Sequence, residues 1–417
     1  MTTVAFVGMT HLGLVSATAV AAKGFRTLCF DLDNAVIERL KTGDLPVSEP
    51  DLDAMLARNG DAQVFTSDPS DLRSADLVYI APDVPTDDQG QSDLREINVL
   101  IRDVLSHLAP EAVLVVLCQV PPGFTRQIER ASDRLYYQVE TLVFGRAVER
   151  AIEPERYIVG CADPATPLPT AFNTVLSAFG CPILPMRYES AELAKISINM
   201  CLVASVSVAN TMAEICEHVG ADWSEIVPSL KLDRRIGRYS YLTPGLGIAG
   251  GNLERDLATV MRLGAAHGTD TGVVAAQVVN SAHRKGWAAR QVKALGLETA
   301  RLAVWGLAYK ENTHSVKNSP SLHTLAQLTD AQIMAHDFEV AASDAPGVRR
   351  AQAPLATLAG AEALLILTPW PDYREISPLD VANGLSGNVL LDPYRVFDAD
   401  AARACGLRYI TLGVGDA

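Results

Sequence analysis

Lys195 and Asn199 are the first residues in this chain whose types and spacing suit proton transfer. They stand four residues apart in a long apolar segment with a helical pattern, so they share one helix face. A lysine in such surroundings is costly to desolvate unless it has a partner or a use. The pair indicates a lysine that takes a hydroxyl proton while the amide orients it, or else a lysine beside an asparagine that only satisfies the core.

A glycine-rich turn near the N-terminus has the spacing of a nucleotide-binding motif. The segment Gly8-Met9-Thr10-His11-Leu12-Gly13 has the outline G-x-G-x-x-G with threonine in the middle, between the run "TVAFV" and the helical pattern "HLGLVSATAVAAKG". The next apolar run, "RTLCFDLD", carries Asp31 at its end. Strand, turn, helix and acid-terminated strand form the βαβ unit of a dinucleotide-binding domain, in which the acid accepts from a ribose hydroxyl and favours NAD over NADP. The residues predicted to bind NAD here are Gly8, Thr10, His11, Leu12, Gly13 and Asp31.

A second glycine-rich segment, "TPGLGIAGGNLERDLATV", precedes another helical pattern. The backbone amides of Gly245, Gly247 and Gly250 could face a diphosphate, or the segment could be an ordinary flexible loop. Asn252 follows the last glycine pair. Its side-chain amide is not a nucleophile at neutral pH, so this position offers no covalent catalysis.

The remaining patterns predict the elements that position these residues. Strand candidates such as "ADLVYIAP" and "AVLVVLCQVPPG" alternate with helices to about residue 185, which is typical of a doubly wound parallel sheet. A long helix over Ser190–Val219, apolar on most of its circumference, is predicted to be buried, and a second helical pattern runs over Leu253–Leu295. Strands restart at Ala300. We predict an α/β fold of two Rossmann-like doubly wound domains joined by long central helices, with domains at 1–189, 190–296 and 297–417.

Composition excludes several classes of function. The formal charge of −14 argues against nucleic acid and anionic membrane as partners. The seven cysteines are scattered without a CxxC pair, so neither a disulfide framework nor a metal site is indicated. The N-terminus has no signal-peptide pattern and no run of about 18 apolar residues occurs, which predicts a cytoplasmic protein.

The chain resembles the UDP-glucose/GDP-mannose dehydrogenase family from end to end. The resemblance is carried, in order, by the glycine turn and by "LKTGDLPVSEPDLDAML", "PPGFTR", "PERYIVG", "ELAKISIN", "RRIG", "TPGLGIAGG", "GLAYKENT" and Ser319-Pro320. It implies NAD as cofactor, a nucleotide-sugar substrate, a homodimer, a central dimerisation domain and a C-terminal nucleotide-sugar-binding domain. It adds Pro82 and Gln119 to the cofactor site, and it implies that the substrate is bound by Arg235, Tyr241, Gly245, Gly247, Gly250, Lys310 and Lys317.

The departures from the family fall in the reacting part of the site. Family members oxidise a sugar alcohol to a carboxylate through a thioester on a cysteine in the pattern G-G-x-C-[FL]-P-K-D. Aligned on Asp256, this chain has Asn252 at the cysteine, with Glu254 and Arg255 at the proline and lysine. Gln119 stands at a family threonine, and Phe144 replaces the second of two acids. The residues that remain in register are Glu140, Lys195, Asn199 and Asp256.

The residues that remain suit a two-electron step. The helix pair also resembles that of the β-hydroxyacid dehydrogenases, in which lysine takes the hydroxyl proton as hydride leaves to NAD. We therefore expect Lys195 as base or electrostatic catalyst, Asn199 as the residue that orients it and Asp256 as relay. Cys118 is expected only to pack. The alternatives are a redox-neutral epimerase, the four-electron reaction by a thiol-independent route, and a non-catalytic nucleotide-sugar sensor. The nucleotide, the sugar and the reacting carbon stay open.

Overall fold

The computed structural model describes residues 2–85 and 92–415. The chain divides into two compact units, Met1–Ile198 and Asn199–Ala417. The three-domain division made from the sequence stays a prediction. Each unit contains one sheet and its own apolar core.

The first unit is built on an eight-stranded sheet in the order β3-β2-β1-β4-β5-β6-β7-β8. All neighbouring strands are parallel except β6 and β7, which are antiparallel. The strands are Thr3–Val7 (β1), Arg26–Phe30 (β2), Gln63–Thr66 (β3), Leu77–Ile80 (β4), Val113–Val116 (β5), Leu135–Gln138 (β6), Tyr157–Cys161 (β7) and Ile183–Arg187 (β8).

The central strands of this sheet are apolar because helices cover both of its faces. The runs "LVYI" of β4 and "VLVV" of β5 are buried at every position. The helices of this unit are His11–Ala22 (α1), Asn34–Lys41 (α2), Leu52–Asn59 (α3), Arg95–His107 (α4), Ala147–Ile152 (α5) and Thr170–Ser177 (α6). The doubly wound sheet predicted from the sequence is confirmed.

A single helix, Tyr188–Val219 (α7), follows β8 and carries the boundary between the two units. Its predicted extent is confirmed, but the prediction that it is buried is wrong. Several of its large apolar side chains are exposed, among them Val208, Ile215 and Val219. Composition sets how apolar a helix is, whereas its burial depends on which neighbours cover each face. Among the described residues it is also the one helix long and apolar enough to cross a membrane, by length and composition alone.

The second helical pattern, Leu253–Leu295, is three helices rather than one. Gly268 ends the first of them in the left-handed conformation, at φ 66°, which glycine adopts without a side-chain clash. Gly286 separates the other two. The helices between α7 and the second sheet are Trp223–Leu232 (α8), Asn252–His267 (α9), Gly272–Lys285 (α10) and Trp287–Ala294 (α11).

The second sheet has five parallel strands in the order β10-β9-β11-β12-β13. This confirms a second, smaller Rossmann-like domain. Its strands are Arg301–Trp305 (β9), Gln332–His336 (β10), Ala363–Ile366 (β11), Val389–Leu391 (β12) and Arg408–Ile410 (β13). Its helices are Pro320–Gln327 (α12), Pro378–Gly384 (α13) and Ala399–Ala404 (α14).

Candidate active site

The first glycine turn connects β1 to α1 at the carboxyl edge of the sheet. Gly8 has φ 95°, and a Cβ there would lie 2.8 Å from the backbone nitrogen of Pro82. A Cβ on Gly13 would lie 1.9 Å from the carbonyl oxygen of Gly8. Both positions therefore require glycine, the first for the turn and the second for the close approach of helix and turn.

Thr10, at the middle position of the motif, precedes α1 as its N-cap. Its hydroxyl donates to the carbonyl of Ala81 at 3.4 Å and accepts from the amide of Asp83 at 3.2 Å. The side chain therefore ties the glycine turn to the loop after β4. The hydroxyl proton is used within the protein, so donation to a phosphate would require this contact to break.

Asp31 lies directly after β2, at the same edge of the sheet. Its Oδ2 accepts from the amide of Met9 at 2.7 Å, and its Oδ1 accepts from the amide of Asp33 at 2.9 Å. A cavity of about 220 Å³ adjoins this carboxylate. It is lined by the residues Val7, Gly8, Thr10, Asp31, Leu32, Pro82, Asp83, Val84, Pro85, Asp93, Glu96, Ile97 and Leu100.

These residues fit the adenosine end of a dinucleotide. Asp31 retains lone pairs for a ribose hydroxyl, and Leu32 and Val84 offer apolar surface for a base. The first turn of α1 follows the glycine turn, and helix N-termini present unpaired amides to phosphates. Gly8, Thr10, Asp31 and Pro82, which the sequence analysis predicts to bind NAD, all line this cavity.

His11 and Leu12 are the first two residues of α1, and both are buried. The Nε2 atom of His11 lies 2.8 Å from Oε1 of Glu49, and its ring stacks on Phe144 with centroids 4.1 Å apart. Its side chain is thus committed within the protein, so His11 can serve the cofactor only through its backbone. Sequence reasoning gave Glu49 no role. The one feature of the sequence that could have drawn attention to Glu49 is that it is an acidic residue in the predicted loop "LPVSEP".

Lys195 of α7 is paired with Glu140, the residue two positions after β6. The Nζ atom of Lys195 lies 3.6 Å from Oε2 of Glu140, and the side chains are 15% and 21% exposed. Burial raises the pKa of Glu140, while the nearby charges of Lys195 and His11 oppose that rise. The other carboxylate oxygen accepts from the amide of Leu142. A half-buried lysine–carboxylate pair of this kind can accept and pass on a proton.

Gln119 and Cys118 follow β5 on the way to the "PPGFTR" loop. Cys118 is buried, and burial raises the pKa of its thiol well above the ordinary range. The thiolate needed for nucleophilic attack is therefore disfavoured, in line with a packing role. Gln119 is partly buried.

In the second unit, Asn199 and Asp256 form a direct buried contact. The Nδ2 atom of Asn199 donates to Oδ2 of Asp256 at 2.5 Å. The other carboxylate oxygen of Asp256 lies 3.3 Å from Nε of Arg255. Asp256 is fully buried, so its charge needs both partners. The carboxylate can therefore orient Asn199 on α7, four residues beyond Lys195.

Asn252 is the first residue of α9 and is exposed. The preceding residue, Gly251, is flanked by Lys317, whose Cδ and Cε atoms would lie 3.5 Å from a Cβ at that glycine. Glu254 accepts from Nζ of Lys285 at 3.0 Å and also from the side-chain Nδ2 of Asn318. Glu254, which we predict to stand at the family's proline, is thus bound by a lysine and a side-chain amide of the second unit.

The second glycine loop is held by its own chain. The amide of Gly245 donates to Oδ1 of Asn210 at 2.8 Å, and the amide of Gly250 donates to the carbonyl of Lys317 at 3.1 Å. A Cβ on Gly247 would lie 2.6 Å from the carbonyl oxygen of Ser281. Two of the three amides considered for a diphosphate, those of Gly245 and Gly250, are therefore already used within the chain.

The other residues considered for substrate binding lie in exposed or partly buried positions. The Arg235 side chain is 88% exposed and pairs with Asp233. Tyr241 is 54% exposed. The ammonium of Lys310 lies 5.8 Å from the ring centre of Tyr309. Across residues 2–85 and 92–415, no group of three or more His, Cys, Asp or Glu side chains could hold a metal ion.

Three family models match successive parts of the chain. The NAD binding domain of the UDP-glucose/GDP-mannose dehydrogenase family matches residues 2–176. The central domain matches residues 189–282, which include α7, and the UDP binding domain matches residues 303–399. The apolar helix is thus part of the family's central domain.

Individual relatives agree with these matches. The chain is 29% identical to the UDP-glucose 6-dehydrogenase TuaD of Bacillus subtilis, over 99% of this chain and 93% of the relative. It is 27% identical to the UDP-glucose 6-dehydrogenase of Rhizobium meliloti, over 99% of this chain and 100% of the relative. A UDP-glucose dehydrogenase structure from Pyrobaculum islandicum superposes with a TM-score of 0.83 at 24% identity, covering 100% of this chain and 97% of that one. The chain belongs to the UDP-glucose/GDP-mannose dehydrogenase family of NAD-dependent nucleotide-sugar oxidoreductases.

Proposed function

We propose that this chain oxidises one CH–OH group of a nucleotide sugar to a carbonyl with one NAD and stops there. The observation that carries the proposal is the Lys195–Glu140 pair, whose Nζ and Oε2 atoms lie 3.6 Å apart and which can move the first proton. The resemblance of the sequence to the family pattern puts Asn252 in place of the thiol. An alcohol-to-carbonyl step needs a proton acceptor and a hydride acceptor, but no covalent intermediate.

Two residues of the first unit, Lys195 and Glu140, can accept the proton that the substrate hydroxyl loses. NAD, when bound, supplies the hydride acceptor. The Lys195 ammonium binds the substrate oxygen and lowers the energy of the developing alkoxide. Lys195 gives a proton to Glu140, and the amine that results accepts the hydroxyl proton as the hydride leaves carbon for NAD. The C–H and O–H bonds break, a second C–O bond forms, Lys195 is again an ammonium and Glu140 becomes a carboxylic acid.

The second oxidation of the family is the step this chain lacks. A thiolate traps the aldehyde so that a second hydride can leave, and the resulting thioester is then cleaved by water. The amide of Asn252 cannot form that adduct. Of the seven cysteines, Cys29, Cys118, Cys161 and Cys216 are buried. We therefore assign the carbonyl compound, rather than a carboxylate, as product.

The test is product mass together with NADH yield, using purified protein, NAD and a panel of UDP-, GDP-, dTDP- and CDP-sugars. We expect one NADH per product that is lighter by two hydrogens. Two NADH with a carboxylate would overturn the proposal in favour of a thiol-independent four-electron route. A product of unchanged mass and altered retention, without NADH, would mean epimerisation. Binding without turnover would mean a sensor.

We also propose that the substrate's nucleotide is held by the C-terminal domain, and that the enzyme is a homodimer. The match to a UDP binding domain over residues 303–399 supports the first statement. The apolar side chains that α7 exposes support the second, because a monomer rarely leaves such a stripe uncovered.

A further inference from the structure

We propose that Glu49 is a positioning residue for the oxidation. Its carboxylate holds the loop that carries Glu140 against the first turn of the cofactor-binding helix. The inference rests on the proton-accepting role proposed above for Glu140. It concerns a loop residue that touches neither of the reacting groups.

The contacts of Glu49 join three distant segments of the first unit. Its Oε1 lies 2.8 Å from Nε2 of His11, at the start of α1, and 2.9 Å from the amide of Gly145. Its Oε2 accepts from the amides of Gly145 at 3.0 Å and Ala147 at 3.2 Å. The Glu49 side chain is 0% exposed. A carboxylate buried to this degree and bound by three donors fixes the relative positions of those donors.

The loop that Glu49 holds is the one that presents Glu140. It runs from the end of β6 at Gln138 to the start of α5 at Ala147. Nε of Arg150 ties it a second time, by donating to the carbonyl of Thr141 at 2.8 Å. Glu140 thus lies on a short connection anchored at both sides. Its distance to Lys195 depends on these anchors.

Through its contact with His11, Glu49 links the cofactor-binding helix α1 to the loop that carries Glu140. An ionised carboxylate only accepts hydrogen bonds, so Nε2 of His11 must carry a hydrogen toward Glu49. The stacked ring of Phe144 brings the tip of the same loop onto the imidazole, with 28° between the planes. The backbone of His11 belongs to the α1 turn predicted to face the cofactor phosphates. One buried carboxylate therefore connects the cofactor helix to the proton acceptor.

The electrostatic surroundings of Glu140 agree with this arrangement. The charged and titratable groups that act on it are Lys195 from α7, His11 from α1 and Asp83 from the loop after β4. Lys195 and His11 lower the pKa of Glu140, whereas burial and Asp83 raise it. Removing the imidazole of His11 would therefore raise the pKa of Glu140 further.

The test compares Glu49→Gln with Glu111→Gln, a matched change at an exposed residue of the same unit. Glutamine has one acceptor oxygen where glutamate has two, so at least one of the three donors loses its partner while side-chain volume is kept. We expect Glu49→Gln to fold, to lose at least about tenfold in kcat and to keep its KM for the nucleotide sugar. Hydrogen exchange of the amides of Gly145 and Ala147 should accelerate. Glu111→Gln should match wild type.

His11→Asn supplies a readout that a purely structural role would not move. We expect the acid limb of its pH–rate profile to shift to higher pH, because an interaction that lowers the pKa of Glu140 is lost. An unshifted limb, or a Glu49→Gln kcat within twofold of wild type while Glu140→Gln is impaired, would overturn the inference and leave the proposed function intact. A Glu140→Gln variant as fast as wild type would overturn the proposed function, and the inference with it.

Discussion

The proposed absence of a catalytic thiol makes a direct chemical prediction at residue scale. We expect wild-type turnover to resist iodoacetamide, because no thiol takes part in the proposed reaction and the one exposed cysteine is Cys201. The measurement is residual NADH production after alkylation, with Cys201→Ala as the control for modification of α7. Strong inactivation of both proteins would contradict a thiol-independent reaction.

Asn252→Cys should reverse this behaviour. The residue is exposed at the first position of α9, where the helix N-terminus favours a thiolate. We expect the variant to become sensitive to iodoacetamide and to form a covalent adduct, seen by mass spectrometry, when substrate and NAD are present. Full carboxylate production is not required, because Glu254 and Gln119 are also predicted to differ from the family pattern. An unreactive cysteine would contradict the assignment of this position.

The proposed role of Glu140 as proton acceptor predicts how the reaction rate depends on pH. The base must be ionised to accept a proton, so the rate falls as pH drops through its pKa, and burial places that pKa above the ordinary value for glutamate. We therefore expect the acid limb of kcat/KM at a higher pH than a solvent-exposed glutamate would give. Glu140→Gln should remove this limb and cost roughly 10²- to 10⁴-fold in rate. A limb that survives the substitution would belong to another group.

Prediction from sequence at residue scale can single out groups that lie close together in the chain, and it misses groups that only the fold brings together. Lys195 and Asn199 stand out because both lie on one helix. Glu49 could not be singled out, because its partners are 38 to 98 residues away in the chain. Likewise, Asp256 beside Asn199 is a contact over 57 residues. Only the folded chain brings these groups together.

At the scale of elements, each Rossmann-like domain has an aspartate directly after its second strand, and the two aspartates have different hydrogen-bond partners. Asp31 accepts from the amide of one glycine-turn residue and borders an open cavity. Asp337, which follows β10, accepts from the amides of Leu307, Ala308, Glu339 and Val340 and from the indole of Trp370. The second acid is thus saturated, whereas the first retains capacity for a ribose.

The glycine turn between β1 and α1 therefore makes the element-scale prediction for NAD. In Gly13→Ala the new methyl group would lie 1.9 Å from the carbonyl of Gly8, so helix and turn must separate. Overpacking of this kind costs roughly 1–3 kcal/mol, which corresponds to about 5- to 150-fold in NAD affinity if the strain falls on the bound turn. Calorimetric titration with NAD measures the loss. Nucleotide-sugar affinity should be unchanged, and an equal loss for both ligands would indicate general unfolding.

The break after α9 shows why the helical pattern over Leu253–Leu295 was misread as one element. Apolar periodicity continues across Gly268, but this residue is in the left-handed conformation and ends the helix. Gly268→Ala should lower the free energy of unfolding by about 1 kcal/mol, whereas Gly268→Asn should lose less, since asparagine tolerates this conformation. Urea unfolding measures both. A more stable alanine variant would mean that the helix continues through this position.

At the scale of the whole molecule, the exposed face of α7 is the surface the sequence could not interpret. Val208, Met212, Ile215 and Val219 follow a spacing of four, three and four residues, and all are exposed in the single chain. Such a spacing forms one apolar stripe along a helix. The pattern gave the helix and its apolarity correctly, but sequence periodicity is the same whether the covering surface comes from the chain itself or from a partner.

A second copy of the chain is the occupant we expect for this stripe. Sedimentation velocity of wild type should give twice the mass of the chain. Val208→Glu combined with Ile215→Glu should give the monomer mass, because each buried carboxylate would lack a partner. Val99→Glu, at an exposed valine of α4, is the matched control and should remain dimeric. A wild-type monomer would contradict the expectation, and recovery of wild type with detergent-extracted membranes would mean that lipid covers the stripe instead.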